Sequence, residues 1–587
     1  MVKDVLVAQE NNMVDIRDIV IGELEKLSIK ATKADLNPPK DIKNGDLSFF
    51  IKSSDVKPED IDTQKVDHSY IEKAVVVGRF INFFFSPKYF QDVIKEINED
   101  PNSFGKNTIL DGEKVIIEFT DPNPFKPFHI GHLMSNSIGE AISRIATWSG
   151  AEVTRANYQG DVGPHVAKAI WGMQKLKLAP GITKSKLEKN RLIKLLHFSW
   201  WYGEKLTENS IEEIGKAYVH GATAYEENEA AKTEINEINK QIYQKSDSEI
   251  NALYDWGRKV SLAHFEEIYA KLGTNFDKYF FESQSAPLGM FIAEELLAKG
   301  VLVKSDGAVV FKGEEYGLHT RVFINSQGLP TYETKELGLA KLKFDQVDYD
   351  RSIVITASEQ IDFYKVLLKV LEFANPTVAN KTRHISHGMM RFAEGKMSSR
   401  RGNVITGESL IADVEKLVEE KMKDRDLTVA QKKEIMTDVA VGAIKYSILK
   451  QSPGKDIVFD FAKSLSFEGD SGPYIQYAHA RINSVLRKAK EQGIKPSLEH
   501  AENPGELEHI LVRFPEVVER AQLELAPQLV VTYLITLAST FNAYYANNVI
   551  LDKTNKSSSY RLALAESVKS TLAVGLSLIG IRAPEEM

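Results

Sequence analysis

The chain has 587 residues, with 74 Lys and Arg against 82 Asp and Glu for a formal charge of −8, and no cysteine. Its length points to roughly four domain-sized units. The missing cysteine excludes disulfides, thiolate zinc sites and cysteine nucleophiles and fits a reducing compartment, while the acidic total excludes bulk attraction to polyanions but leaves room for a local basic face.

The N-terminal MVKDVLVAQENN holds no apolar run long enough for a signal peptide, and nowhere do about twenty apolar residues pass without charge, so the expectation is a cytoplasmic chain without a membrane span. Residues 1–110 read as an N-terminal α+β domain ending in the apolar stretch 74–85, whose poor alternation predicts one mostly buried strand. Lys114-Val115-Ile116-Ile117-Glu118-Phe119 is a β-branched strand that empties into the turn-rich Thr120-Asp121-Pro122-Asn123-Pro124. From Ile130 the apolar positions Leu133, Met134, Ile138, Ala141, Ile142 and Ile145 keep the spacing of one helix face. The loop at 120–129 therefore lies at a strand's C-terminal end and a helix's N-terminus, where open parallel sheets bind nucleotides and free N–H groups meet phosphate.

Residues from about 175 to 280 are charged and helical in period, an insertion between sheet-forming segments. Strand-like runs return at 308–311, 321–324 and 352–356, and from about 430 long amphipathic helical stretches continue to the end. No fixed-period repeat is present. The predicted fold class is α/β: a Rossmann-type parallel-sheet domain at 111–455 carrying the helical insertion, with the N-terminal α+β domain before it and an all-α bundle at 456–587 after it.

Phe128-His129-Ile130-Gly131-His132 stands at that helix start. It sets two imidazoles and an unobstructed backbone against a phosphate and an adenine ring, and His-x-Gly-His arises by chance only about 0.02 times in such a composition. Alone it is also compatible with a packing turn bearing two surface histidines. The segment 393–403, with Lys396, Met397, Ser398, Ser399, Arg400 and Arg401, offers cations and hydroxyls to a triphosphate, or alone a solvated basic loop. The two in this order, around a long insertion, favour a nucleotide site.

The pair resembles the HIGH and KMSKS signatures of class I aminoacyl-tRNA synthetases. Further segments are similar to the arginyl-tRNA synthetase family: Glu118-Phe119-Thr120-Asp121-Pro122-Asn123, Asn157-Tyr158-Gln159-Gly160-Asp161-Val162-Gly163, Thr331-Tyr332-Glu333-Thr334-Lys335-Glu336, Ser358-Glu359-Gln360, the stretch 467–481 and the ending Ala583-Pro584-Glu585-Glu586-Met587. The resemblance covers nearly the whole chain. It implies ATP-dependent ligation of L-arginine to the 3′-terminal ribose of an arginine tRNA through an arginyl-adenylate, with Mg2+ accompanying ATP and no zinc. It also implies a monomer whose partners are arginine and tRNA, without DNA or membrane, and arginine activation that needs bound tRNA.

By the same resemblance Phe128, His129, Gly131, His132, Lys396, Met397, Ser398 and Ser399 bind ATP, with His129, His132 and Lys396 acting on its phosphates. An arginine side chain presents five N–H donors in a planar fork, which calls for carboxylates, amide oxygens and a phenol. Asn123 and Gln360 are expected at the substrate's amino and carboxylate end, Tyr332 and Glu336 at the guanidinium, and Glu118 completes the pocket. For tRNA the candidates are Tyr474, Tyr477 and Met587 in the C-terminal domain, and Asn82 with one neighbouring phenylalanine in the first.

Three positions depart from the family pattern. Ser399 stands where the second signature has its second lysine, and Lys126, three residues before His129, is expected to supply that charge. Glu336 replaces a more usual aspartate. His165 replaces an expected glutamine and receives no role. The alternatives are another class I synthetase and a catalytically inactive tRNA-binding paralogue. An acidic pocket opposes glutamate or glutamine specificity, and an inactive paralogue has no reason to keep both histidines and Lys396.

Overall fold

The apolar stretch at 74–85 turns back on itself. The structure, a computed structural model describing residues 15–52, 56–178, 208–393, 405–423 and 428–587, makes it a hairpin of β3 (Ile71–Val77) and β4 (Phe80–Phe85) across Gly78, at φ +61°, and Arg79. The single strand expected there is thus two. Val75, Val77 and Phe80 stay 38 %, 57 % and 46 % exposed, so apolar residues occupy outward positions and hide the period-2 signal. With β1 (Leu36–Asn37) and β2 (Leu47–Phe50) the antiparallel sheet runs β1-β2-β4-β3, accompanied by α1 (Ile16–Lys26) and α2 (Pro87–Glu99).

The second sheet is parallel throughout, in the order β12-β11-β5-β6-β7. Its central strand β5 (Lys114–Glu118) can be apolar without alternation because both faces are covered; Val115, Ile116 and Ile117 are all buried. The chain leaves β5 through α3 (Ile130–Trp148) to β6 (Glu152–Gln159) on one side. It continues through α4 (Pro164–Leu176) and the described helices α5 (Glu208–Glu227), α6 (Glu229–Gln244) and α7 (Ser248–Leu272) to β7 (Lys278–Phe281). After α8 (Glu282–Ala298) come β8 (Val303–Ser305), β9 (Ala308–Phe311) and β10 (Arg321–Ile324), a separate antiparallel sheet that takes the runs at 308–311 and 321–324 out of the parallel one. The chain then returns through α9 (Tyr332–Gln346) to β11 (Arg351–Ala357) on the other side of β5, followed by α10 (Ile361–Ala374), α11 (Pro376–Lys381) and β12 (Thr382–His387). The strand order reverses between β5 and β11, which opens a crevice at their C-terminal ends.

The helices of the insertion are delimited by side-chain caps: Asn228 accepts from the N–H groups of Ala230 and Ala231, and Asp247 from those of Glu249 and Ile250. Gly172 and Gly221 let α4 and α5 touch through their backbones, since a Cβ at either would come within 2.0 Å of the Ala217 or Lys168 carbonyl oxygen. A short parallel pair, β13 (Met390–Phe392) with β14 (Ile457–Phe459), and helices α12 (Gly407–Lys421), α13 (Val429–Leu449) and α14 (Phe461–Ser464) complete this region.

Helices α15 (Gly472–Gln492), α16 (Glu506–Leu511), α17 (Phe514–Glu524), α18 (Gln528–Asn547) and α19 (Ser558–Leu578) form the C-terminal bundle. Packing joins residues 465–587 with the N-terminal part up to 107 as one compact unit and gathers 108–464 as the other. Among the described residues one helix, α18, is long and apolar enough to cross a membrane by length and composition; its Val530, Leu534, Leu537 and Phe541 side chains are buried in the bundle.

Candidate active site

The loop leaving β5 is held in a conformation that side chains rarely adopt. Thr120, Asp121 and Phe125 have φ of +82°, +46° and +69°, three non-glycine residues in the left-handed region within six positions. Such strain persists only where the surroundings over-determine it. Here the Thr120 N–H donates to Ser135 Oγ (3.0 Å), which in turn donates to the Ile355 carbonyl (2.9 Å), and Asn136 Nδ2 donates to Thr120 Oγ1 (3.0 Å). The Tyr158 N–H donates to Asp121 Oδ1 (2.7 Å) and the Phe125 N–H to Ser261 Oγ (3.0 Å).

The loop ends at His129, the residue capping α3. Its N–H donates to His132 Nδ1 (3.3 Å), and the two imidazoles stack with centroids 3.6 Å apart. His132 is buried, and burial followed by the neighbouring His129 and Lys126 holds its imidazole well below the ordinary histidine value, so the ring is neutral. With Nδ1 accepting, the proton sits on Nε2, which is left as a donor. A Cβ at Gly131 would meet nothing nearer than His129 Nδ1 at 3.6 Å, so the backbone there is open to an incoming ring. Phe128 is fully buried, its ring 5.3 Å from that of His132, so its side chain packs against the histidines.

Lys126 is half-buried on the same loop, its Nζ 5.5 Å from the centre of the Tyr218 ring in α5, and burial, then Lys168, pushes its ammonium below its ordinary value. Lys396, Met397, Ser398 and Ser399 lie outside the described residues. The chain beyond them is tied to the histidine loop, because Thr406 forms an antiparallel bridge with His129 and the Gly407 N–H donates to the Phe128 carbonyl (2.8 Å).

The expected arginine residues are arranged unevenly. Glu118, at the end of β5, is buried and ion-paired with Lys343 Nζ at 2.9 Å. A carboxylate this deep needs a partner of its own, and Lys343 supplies one on Oε2. Glu336, two turns before Lys343 on α9, has no such partner among the described residues, and burial, then the Glu118 carboxylate, pushes its carboxyl up. Asp121 is pushed up by the same two causes. The Asn123 carboxamide is seated against Gly160, where a Cβ would come within 2.1 Å of Asn123 Oδ1. Tyr332, at the start of α9, is 60 % exposed, and Gln360, at the start of α10, is exposed.

Several groups here escape sequence reasoning. Lys335 pairs with Glu282 (2.6 Å) in the interior, and Tyr158 shares a hydrogen bond with Ser285 Oγ (2.8 Å). Tyr364 is clamped face to face on His384 (4.1 Å between centroids, 6° between planes), which is held by Thr356 Oγ1 (2.8 Å). His165 is buried with Nε2 on the Gly160 carbonyl (2.7 Å), and burial, then Lys126, takes its imidazole down to about 3. The one signal that could have disclosed Lys343 is its position seven residues after Glu336, two turns along the same helix.

In the other unit, Tyr477 and Tyr545 share one cation: the Arg481 guanidinium lies 4.7 Å from the first ring and 5.5 Å from the second, and is fixed by Asn542 Oδ1 (2.5 Å). Tyr545 is not marked out by sequence, because it lies on another helix, and Arg481 enters only as the last residue of the stretch 467–481. Tyr474 is half-buried one turn from Tyr477. Met587 ends a segment held on α15, where Gln476 Nε2 donates to the Arg582 carbonyl (2.9 Å), Asn483 Nδ2 to that of Glu585 (3.1 Å), and His479 Nδ1 bonds the Pro584 carbonyl (2.9 Å). Asn82 lies in register between Ser48 and Val75 on the face that carries Phe80, but it is 6 % exposed and accepts the Ser48 hydroxyl. The accessible rings of that face are Phe80 and Phe50, edge to face at 5.2 Å, with the Arg79 guanidinium 5.2 Å over Phe50 and Val75 and Val77 exposed beside them.

Known proteins resemble the chain along nearly its whole length. The family of tRNA synthetases class I (R), catalytic domain, matches residues 97–461, and the DALR anticodon binding domain matches 475–587. The chain is 29 % identical over 586 residues to the arginine–tRNA ligase of Halothermothrix orenii, covering 97 % of this chain and 98 % of that protein. It is 32 % identical to that of Borrelia hermsii over the same shares of each. The solved arginyl-tRNA synthetase of Thermus thermophilus superposes with a TM-score of 0.75 at 25 % identity, over 97 % of this chain and 99 % of that one.

Proposed function

Because the chain belongs to the arginyl-tRNA synthetase family of class I aminoacyl-tRNA synthetases, we propose a division of labour among its residues in charging tRNA with arginine. The reaction is ATP-dependent ligation of L-arginine to the terminal ribose of its tRNA, with AMP and pyrophosphate released. An arginine carboxylate oxygen attacks the α-phosphorus, and the bond to the β-phosphate breaks. The terminal ribose hydroxyl of tRNA then attacks the adenylate carbonyl, and AMP leaves. Both steps spread charge over phosphate oxygens, so the protein's task is positioning and donating hydrogen bonds.

In this reading His132 Nε2–H and His129 donate to those oxygens, with the stacked pair kept neutral and oriented over Phe128. Gly131 admits the adenine, and Lys126, with Lys396, meets the triphosphate. Among the described residues no group of three or more His, Asp and Glu side chains is placed to hold a metal ion, so Mg2+ would come with ATP and would neutralise charge on its phosphates. Glu336 receives the guanidinium, and Asn123, Gln360 and Tyr332 bound the rest of the amino acid. Glu118 acts at one remove by occupying Lys343, which would otherwise repel the substrate. The rings of Tyr477 and Tyr545 with Arg481, beside Tyr474 and Met587, take unpaired anticodon bases, and Phe80 with Phe50 meets the tRNA elbow, with Asn82 beneath. The enzyme works as a cytoplasmic monomer with tRNA and arginine as partners, without DNA or membrane.

The observation that carries this reading is the His129–His132 stack at the N-terminus of α3, in the crevice where strand order reverses. Arginine-dependent exchange of pyrophosphate into ATP, measured with and without arginine tRNA, tests it. Exchange confined to the tRNA-containing reaction is expected; folded protein without exchange under either condition overturns it.

A further inference from the structure

The N-terminal sheet and the C-terminal bundle are fastened by four separate ties. Asn98 on α2 donates through Nδ2 to the Ala563 carbonyl of α19 (3.1 Å), across a separation of 465 positions, and accepts from Ser567 Oγ (2.8 Å). His509 on α16 bonds the carboxylate of Asp46, which also accepts the Phe85 N–H (2.8 Å), and the His509 ring meets Phe90 edge to face at 4.6 Å. Arg17 is held between Asp15 (2.6 Å) and Glu519 of α17. Phe104 stacks on Phe514 at 5.9 Å beside Gly105, where φ is +86° and a Cβ would come within 2.9 Å of the Phe514 ring. Ion pairs mostly withdrawn from solvent tolerate few geometries, so a joint of this kind sets orientation as well as contact.

The joint grips the strands that carry the exposed aromatic face. Asp46 directly precedes β2, whose last residue is Phe50, and it binds Phe85, the last residue of β4, whose first residue is Phe80. From Phe80 to Phe85 is a strand of about 17 Å at ~3.3 Å per residue, hydrogen-bonded on both sides and so stiff along its length. At the other side of the joint is the bundle with Tyr477, Arg481 and Tyr545. Each cluster sets a guanidinium over rings, the chemistry that takes splayed nucleobases.

We infer that the joint makes these two clusters a gauge of fixed length, so that Asp46, His509, Asn98 and Ser567 are positioning residues that raise affinity for a whole folded tRNA without touching it. This rests on the RNA-binding roles proposed above for the two clusters. Two sites held rigidly at the spacing of their targets act as one bivalent ligand, and the gain disappears when the link yields.

The test uses the full chain and two probes, an arginine tRNA transcript and its isolated anticodon stem-loop. In the doubly substituted His509→Ala, Asn98→Ala protein, Kd for the transcript is expected to rise about tenfold or more while Kd for the stem-loop stays within about twofold. Equal weakening of both probes overturns the gauge, because the joint would then only support the bundle; so does weakening of neither. Phe80→Ala and Tyr477→Ala separate the underlying reading: if neither weakens the transcript, the RNA faces are wrong whatever the joint does. Should the double variant fail to fold, spin labels on the cysteine-free chain at Val77→Cys and Val549→Cys, both exposed, measure the joint directly. One narrow distance distribution unchanged by tRNA is expected, and a broad or tRNA-shifted one overturns the proposal.

Discussion

The histidine crevice and the aromatic faces of the other unit differ both in the residues they use and in the environment around them. In the crevice His132 is buried and neutral, Glu336 and Asp121 have carboxyls pushed up by burial, and the backbone of Thr120 and Asp121 is strained. On the aromatic faces Phe50, Phe80 and Tyr545 stay 45 %, 46 % and 40 % exposed, with guanidiniums resting on rings. In the proposed division of labour, burial sets the protonation and aim of single groups where bonds are made and broken, whereas recognition of a large ligand is spread over accessible rings, each contributing modestly. Loss of one group should therefore be severe in the first region and mild in the second.

The largest effect is expected for His132→Ala, which removes a preorganised donor and should lower the adenylation rate by about 10²- to 10³-fold while tRNA Kd holds; single-turnover adenylate formation beside a binding assay checks both. Lys126→Ala should come next, cutting the same rate by about 10²-fold with folding intact, since the second signature has Ser399 where a lysine is expected. A near-normal rate would contradict that substitution of charge.

Glu336→Gln sharpens the comparison from the side of protonation. A carboxyl raised above its usual ~4.3 must ionise to hold a guanidinium, so arginine binding releases a proton, and the KM for arginine should climb as pH falls through the raised value while the KM for ATP does not. In the variant the arginine KM should rise by about 10²-fold and lose that pH dependence. The sign for stability is the reverse: a carboxyl that keeps its proton in the folded state loses stability as pH rises through its folded value. Glu336→Gln should therefore gain about 1–3 °C in Tm on the alkaline side, measurable by calorimetry without ligands. The smallest effect belongs to the exposed rings: Tyr477→Ala should raise the KM for tRNA by about 5- to 50-fold and leave kcat alone.

Legibility in the sequence divides along the same line. The β5–α3 boundary is legible because a β-branched run, a proline-rich turn and a helical period meet within thirty residues, and all three are local signals. The hairpin at Gly78 is not, because Val75, Val77 and Phe80 put apolar groups on the exposed face. The runs at 308–311 and 321–324 are legible as strands but not as a separate antiparallel sheet, since pairing is not encoded in either run alone. At the site the histidines and Asn123 carry their own motif. The ion pair that takes Glu118 joins β5 to the far end of α9, and the Tyr364–His384 clamp joins α10 to β12; neither has a local spacing to betray it. The joint between the first hundred residues and the last hundred is the extreme case, built from single polar and aromatic residues such as Asp46, Asn98 and His509 that look like ordinary surface groups in the chain.

The most direct test of the claim that burial sets the chemistry of the crevice is the titration of His132, monitored by NMR of imidazole nitrogens among the 13 histidines and assigned by the missing signal in His132→Gln. The ring should stay neutral, protonated on Nε2, down to pH values well below the ordinary histidine value near 6.5. Protonation at or above that value would contradict it.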